Sequence, residues 1–301
     1  MYEDIFKNAD KLNYEIIENA PMSKFTSFKT GGNASILIIP RNIDTIGEIV
    51  NLLKNNNIKP LVIGNGSNLL ISDKGYKGVV IKFGNKLSNI KLIDDNKIYC
   101  EAGASMKALC NFALDNSLQG LEFAYGIPGT LGGAVSMNAG AYGGEMKDVL
   151  LECTHISENG HKGILRKNEL DLSYRHSAYT DNGYTVVSAV LELNKGDKSQ
   201  IKKLMDENLL KRKTKQPLEF PSAGSTFKRP EGYFAGALIE GCDLKGYTVG
   251  GAMVSEKHAG FVINKGNATS TDIITLIKDV QKIVYDKYGV MLETEVKIIG
   301  E

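Results

Sequence analysis

Two stretches of this chain place glycine where a polyanion can lie against the backbone. The first is Gly64-Asn65-Gly66-Ser67-Asn68-Leu69. Its glycines let amide N–H groups turn towards one point, and Ser67 and Asn68 add side-chain donors, the combination a phosphate needs. A tight turn that binds nothing uses the same residue types. The second stretch, residues 126–144, holds seven glycines in 19 residues and contains Gly126, Pro128, Gly129, Thr130, Gly132, Gly133, Asn138 and Gly140. It is too glycine-dense to be regular helix or strand throughout. Its Leu131, Val135 and Met137 make it too apolar for a solvated linker. Two such loops, each beside strands, suit a ligand with several phosphates or a dinucleotide laid between them.

A third segment, Ala223-Gly224-Ser225-Thr226-Phe227-Lys228-Arg229, sets the Ser225 hydroxyl between small neighbours and a basic pair. An ordinary serine in a turn fits that pattern equally. Upstream lie Lys211, Arg212, Lys213 and Lys215, by default a solvated helix face and secondarily an anion site. Tyr174, Arg175 and Glu295 do not stand out by residue type, because an exposed charge is the usual state of Arg and Glu.

Several chemistries are excluded or weakened. The first glycine loop carries Leu69 where a Rossmann fingerprint needs its third glycine, and no Walker lysine follows. Cys100, Cys110, Cys153 and Cys242 lie too far apart in sequence for a short metal-ligand pair or a disulfide framework, so they read as reduced, mostly buried thiols. The four histidines have no metal-ligand spacing, and no metal is expected. With 36 Lys plus Arg against 35 Asp plus Glu the formal charge is +1, so no global field draws the chain to nucleic acid or anionic lipid. No apolar run approaches the ~20 residues of a membrane span, and residues 1–10 lack the features of a secretory signal. A cytoplasmic location is the expectation.

The positioning elements follow from hydrophobic spacing. Residues 35–40 read as a strand and residues 45–56 as a helix, with Thr45 and Glu48 as a capping box. Strands are expected at 61–63, 79–83, 90–93 and 98–100, the last two joined by a turn at Asp94-Asp95-Asn96. Residues 105–116 form a helix with Leu109, Phe112 and Ala113 inward. Strands at 150–156 and 186–193 make the middle third strand-rich, with a turn at Glu158-Asn159-Gly160. Residues 200–213 predict a basic amphipathic helix burying Ile201, Leu204, Met205 and Leu209, with a domain boundary near its end. Short strands at 252–254 and 261–263 precede a helix through Ile273–Val284 spacing that Gly289 stops, and residues 293–299 close as a strand.

Taken together, Thr30-Gly31-Gly32-Asn33-Ala34, the loop from Gly64 to Leu70, residues 126–144, Ser173-Tyr174-Arg175, Ala223-Gly224-Ser225-x-Phe227-Lys228 and Glu295-Val296 resemble one family, UDP-N-acetylenolpyruvoylglucosamine reductase. The resemblance runs nearly the whole chain in order. It implies an α+β architecture: an FAD-binding region of the vanillyl-alcohol-oxidase type in two subdomains (1–82 and 83–210), followed by an α+β substrate domain (211–301) whose last strand can return to the FAD region. It implies non-covalent FAD held by both glycine loops, NADPH as co-substrate, a UDP-sugar substrate, and a role in peptidoglycan precursor synthesis. Ser225 matches the family's proton donor. Arg175 and Glu295 match the pair that stabilises the enolic intermediate, and Lys215, Lys228, Arg229 and Tyr174 match substrate-side positions. Lys29 stands where many relatives have arginine, and Arg229 where the longer class has asparagine. The chain lacks the segment between Arg175 and Gln216 that carries a substrate-clamping tyrosine in that class, and so resembles the shorter class.

Two other functions share these features. One is a flavin-dependent oxidase of the same cofactor fold, although no histidine lies in either glycine loop to tether FAD. The other is a non-catalytic nucleotide-binding module in which Ser225, Arg175 and Glu295 are incidental.

Overall fold

The computed structural model describes residues 2–300 and divides into two compact units. One comprises the N-terminal stretch to Glu18, Ile36–Asn65 and Gly78–Lys211; the other comprises Asn19–Ser35, Gly66–Lys77 and the chain from Arg212 onward. Neither is continuous in sequence. Helices and strands are mixed in both, an α+β architecture.

In the first unit the largest sheet has five antiparallel strands in the order Lys162–Arg166, Leu150–Ile156, Thr185–Glu192, Lys97–Glu101, Ile90–Asp94. Its register sets Cys153 opposite Ala189 and Ala189 opposite Cys100. These small side chains, with Leu191 and Ile98, are buried in one continuous core. Burial raises the thiols of Cys100, Cys110 and Cys153, which keeps them protonated and unreactive. A second sheet orders Tyr14–Pro21, Asn33–Pro40, Tyr76–Lys82 and Leu61–Ile63, with the last two parallel. The helix Met106–Asp115 packs Met106, Leu109, Cys110 and Ala113 into the same core, and the Ser105 hydroxyl caps it by accepting from the Ala108 amide at 3.1 Å.

Three expectations change. Thr45 does not cap its helix: its own backbone is helical, and its hydroxyl donates to the Asn42 carbonyl at 3.1 Å. Asn42 instead starts the helical path, accepting from the Asp44 amide at 3.0 Å ahead of the 3-10 turn Ile43–Thr45. The helix Lys198–Lys215 buries Ile201, Met205 and Asn208, while Leu204 is exposed. Asn208 occupies the inward position one turn beyond Met205, where its amide reaches the Glu122 carbonyl at 3.2 Å. The closing strand is shorter than its pattern, Lys297–Ile299.

The second unit has its own core around Phe28, Leu70, Ile239, Leu276, Val280 and Val284. Its long helix Ser270–Tyr288 begins with a capping box, in which Thr269 and Asp272 each accept the other's amide at 3.0 Å, and ends at Gly289 in the left-handed conformation. Asp73 accepts further bonds from the Ser270 and Thr271 amides. Lys297–Ile299 pairs in parallel with Leu69–Ile71, tying the end of the first glycine loop to the chain terminus. A three-stranded antiparallel sheet, Thr248–Val249, Ala252–Val254 and Val262–Asn264, packs against the long helix. No helix among the described residues is long and apolar enough to cross a membrane.

Candidate functional site

The strand Leu61–Ile63 delivers the chain into the first glycine loop. The backbone amides of Gly64, Asn65, Gly66 and Ser67 meet no acceptor among the described residues. Four consecutive unsatisfied donors in a partly covered loop call for an external acceptor, either water or an anion. Gly66 requires its residue type twice over: φ is +59°, and a Cβ there would collide with the Phe25 carbonyl. Lys82 donates to the Gly64 carbonyl at 3.2 Å, and burial lowers its pKa.

The second glycine segment meets the first directly. Asn65 donates to the Pro128 carbonyl at 2.9 Å, and any Cβ at Gly64 would strike the Thr130 side chain. Around this contact the backbone is fixed: Met106 donates to the Gly129 carbonyl at 3.1 Å, and Leu131 and Gly132 donate to the carbonyls of Ala104 and Ala102. The amides of Gly129 and Thr130 also lack an acceptor among the described residues. Gly126 and Gly132 are half-buried beside them, and Pro128 and Gly133 are exposed. Within the first unit, the donors of Gly64, Asn65, Gly129 and Thr130 fit a diphosphate group, because they lie on two touching segments whose shape is set by the surrounding core.

The rear of the second segment does something else. Asn138 is only 1% exposed. Its amide donates to Glu145 and to the Ser173 carbonyl, and its Oδ1 accepts from the Lys147 amide at 2.9 Å, so its side chain is committed to the protein. Gly140 lies opposite Glu145 in a two-residue pairing. Ser177, fully buried, donates to the Ser136 carbonyl at 2.8 Å. Ser136 and Asn138 together hold the segment 173–177, in which Ser173 and His176 exchange backbone hydrogen bonds of 3.2 Å around Tyr174 and Arg175. Arg175 is left-handed, φ +56°, a conformation that costs a non-glycine residue roughly 1 kcal/mol or more. Its guanidinium lies 5.1 Å from the Tyr174 ring, which is 52% exposed.

In the second unit, Ser225 and Glu295 are brought to neighbouring segments. The Glu295 amide donates to the Thr226 carbonyl at 2.9 Å, and the Lys228 amide donates to the Glu293 carbonyl at 2.8 Å. Thr226 is fully buried, its amide bonded to Gly260 and its hydroxyl accepting from Val262 at 2.9 Å. Ser225 is therefore carried on an anchored backbone, yet its half-buried hydroxyl has no partner among the described residues. Asn68 donates to the Glu295 carbonyl and accepts from the Lys297 amide, both at 3.0 Å, and Leu69 starts the strand beside it. Lys228 pairs with Glu293 at 3.1 Å. Arg229 lies 3.9 Å from the centre of the exposed Phe234 ring, and Lys215 is an exposed residue closing its helix.

Over 287 residues the chain is 52% identical to the UDP-N-acetylenolpyruvoylglucosamine reductase of Clostridium novyi, covering 95% of this chain and 93% of that one. This chain belongs to the UDP-N-acetylenolpyruvoylglucosamine reductase family. The family's C-terminal domain model matches residues 216–299, and a model described as an FAD binding domain matches residues 34–162. The Syntrophomonas wolfei reductase is 48% identical, with both chains covered in full. Among solved structures, the reductase from Thermus caldophilus aligns with a TM-score of 0.82 at 32% identity, over 96% of this chain and 99% of that one. Both glycine segments lie inside the FAD-binding match, whereas Ser225, Lys228, Arg229 and Glu295 lie inside the reductase's C-terminal match. Tyr174, Arg175 and Lys215 fall outside both.

The sequence alone does not reveal that Asn138 and Ser177 serve the Arg175 turn, or that Lys82 supports the first loop. Asn138 sits in a glycine-rich run that reads as a ligand loop, and a lone lysine at the end of a strand carries no pattern of its own. Among the described residues no group of three or more His, Cys, Asp or Glu side chains is arranged to hold a metal.

Proposed function

We propose that this chain carries out the reaction for which its family is named, the NADPH-dependent, FAD-mediated reduction of UDP-N-acetylglucosamine enolpyruvate to UDP-N-acetylmuramate. The observation that supports it best is the set of unpaired amides on the two touching glycine segments. The FAD diphosphate takes hydrogen bonds from Gly64, Asn65, Gly66, Ser67, Gly129 and Thr130, with Gly126, Pro128, Gly132 and Gly133 shaping the groove. Bound there, the isoalloxazine supplies hydride chemistry between NADPH and the enolpyruvyl alkene, which no side chain offers.

Addition of hydride to the terminal alkene carbon leaves an electron pair on the adjacent carbon, beside the carboxylate. A proton must reach that carbon to complete the lactyl ether. Ser225 supplies it: its hydroxyl has no partner among the described residues to relinquish, and its anchored neighbour Thr226 fixes the backbone that carries it. Serine is a weak acid, so the step relies on a strongly basic carbanion held within hydrogen-bond reach. Arg175 holds the substrate carboxylate while the enolate charge grows, and Glu295 shares in stabilising the enolic species. Lys215, Lys228, Arg229 and Tyr174 bind the UDP-sugar, the cations facing its diphosphate. By this reading residues up to about 210 serve FAD and also supply Tyr174 and Arg175 to the substrate, residues beyond serve the sugar nucleotide, and the reaction supplies peptidoglycan precursor in the cytoplasm.

The test is anaerobic. The purified protein is expected to show a flavin absorption band, NADPH to bleach it, and the enolpyruvyl sugar nucleotide alone to restore it. Acid denaturation should release the flavin into the supernatant. Restoration by oxygen but not by the sugar nucleotide would instead select the oxidase.

A further inference from the structure

His176, next to Arg175, stands at the centre of a clamp. Its Nδ1 is 3.0 Å from the Asp171 carbonyl and its Nε2 is 2.9 Å from the Asp181 carboxylate, partners five residues away on either side. A carbonyl and an ionised carboxylate can only accept, so the geometry suits a ring with hydrogen on both nitrogens, an imidazolium. A neutral ring donates from one nitrogen only, and its other lone pair then faces an oxygen lone pair. The Asp171 carboxylate, 3.8 Å from Nδ1, adds attraction for the cation. Thr180 fixes Asp181 from its other oxygen at 3.1 Å. Other charged groups here are Arg175 itself and, on the side of the Ser173 carbonyl, Glu145 and Lys147, which are paired with each other, and Asp148, which accepts from the Glu145 amide.

The turn that this clamp closes needs support. Asp171 and Arg175 both have left-handed backbones, φ +44° and +56°. The two backbone bonds between Ser173 and His176 are 3.2 Å, at the long end of the normal range.

We propose that His176, as an imidazolium bonded at both nitrogens, is a positioning residue that holds Arg175 for the substrate carboxylate, making the substrate half-reaction dependent on the protonation of this histidine. The inference rests on the role given to Arg175 above. Its bonds to Asp181 and to the Asp171 carbonyl raise the His176 pKa above the ordinary value of 6.5. A group with a raised folded pKa contributes fully below its unfolded pKa and loses its contribution as pH rises through the folded one. The clamp is therefore closed below the folded pKa of His176 and opens as pH rises through it.

The experiment follows reoxidation of NADPH-reduced holoenzyme by the enolpyruvyl sugar nucleotide from about pH 6 to pH 9, the span in which a raised histidine titrates. In parallel, NMR follows the His176 ring proton in the same protein. The wild-type return rate should fall through the NMR midpoint, which should lie above 6.5. Asp181→Asn should move the NMR midpoint and the kinetic limb down together. His176→Asn should remove the limb and slow the return by about tenfold near neutral pH, one charge-assisted bond's worth of turn population. Reduction by NADPH should be unchanged in both variants. A kinetic limb that stays in place while the NMR midpoint moves, or a midpoint at or below 6.5, overturns the proposal. Arg175→Ala tests the reading beneath it: an unchanged return rate there removes the role of Arg175, whereas a slow Arg175→Ala with an immobile limb removes only the clamp.

Discussion

Ser225 owes its proposed role to what its hydroxyl lacks. Thr226 next to it is bonded at its amide, its carbonyl and its hydroxyl, while the Ser225 oxygen has no partner among the described residues. Ser225→Ala removes the donor without disturbing any bond in the described structure. Bleaching by NADPH should therefore proceed at the wild-type rate, while recolouring by the sugar nucleotide slows by roughly 10²–10⁴-fold, the usual range for a general acid. Equal slowing of both halves would point to a folding or cofactor defect and remove Ser225 from the proton step. The residue type and the flanking Gly224 and Lys228 are visible in the sequence; the anchoring that makes the serine a fixed donor comes from Gly260, Val262 and Glu295, which no local pattern announces.

At the scale of elements, the joining of the two glycine segments is the feature most open to challenge. Gly64→Ala places a methyl group against the Thr130 side chain, on backbone held by the Ala102 and Ala104 carbonyls, so neither partner yields freely. Overpacking of this kind costs about 1–3 kcal/mol. Because the strain falls on the loop whose amides are unpaired, it should appear mainly as weaker flavin retention. Gel filtration followed by an absorbance ratio reads this directly; flavin content equal to wild type would mean that the contact does not shape the cofactor groove. Gly64→Ala combined with Thr130→Ala should recover part of the loss, since the second change removes the colliding atoms.

The same elements show what local sequence conveys. The helix Met106–Asp115 is legible because its inward residues recur at the helical period and are buried accordingly, whereas the strand Leu150–Ile156 is legible as an apolar run although its bulges break the alternation. The helix Lys198–Lys215 misleads because Leu204 satisfies the pattern but Asn208 has the hydrogen-bond partner. Residues 126–144 read as one ligand loop, yet divide into a front that presents free amides and a rear that grips the Arg175 turn. That division depends on Ser173 and Ser177, contacts between segments distant in sequence, which periodicity does not encode. The discontinuity of the two units escapes sequence spacing for the same reason, since the parallel pairing of Leu69–Ile71 with Lys297–Ile299 joins segments near opposite ends of the chain.

For the molecule as a whole, the shifted groups define how stability should depend on pH. Burial lowers the pKa of His155, stacked 4.6 Å from Tyr184, and of His258, so the folded protein keeps both neutral to lower pH than the unfolded chain does. The unfolded chain binds protons at these sites from about 6.5 downward and the folded chain only at lower pH, so stability falls as pH drops from that point towards the depressed folded values. A second loss begins near pH 4, where unfolded carboxylates protonate. The Thr269 and Gly251 amides hold Asp272 below its ordinary value, and Lys59 does the same for Glu158, so their contributions disappear as pH falls through the depressed values. His176, with its raised pKa, acts in the opposite sense and in a different window: its contribution grows as pH falls towards 6.5 and is constant below it. Urea midpoints should thus decline in two stages from pH 7 to pH 3. Replacing His155 and His258 by glutamine should flatten the upper stage and leave the lower one. A midpoint that holds constant from pH 6.5 to pH 5 in the wild type would mean that these two rings take up protons in the folded state as readily as in water, and that their burial carries no electrostatic cost.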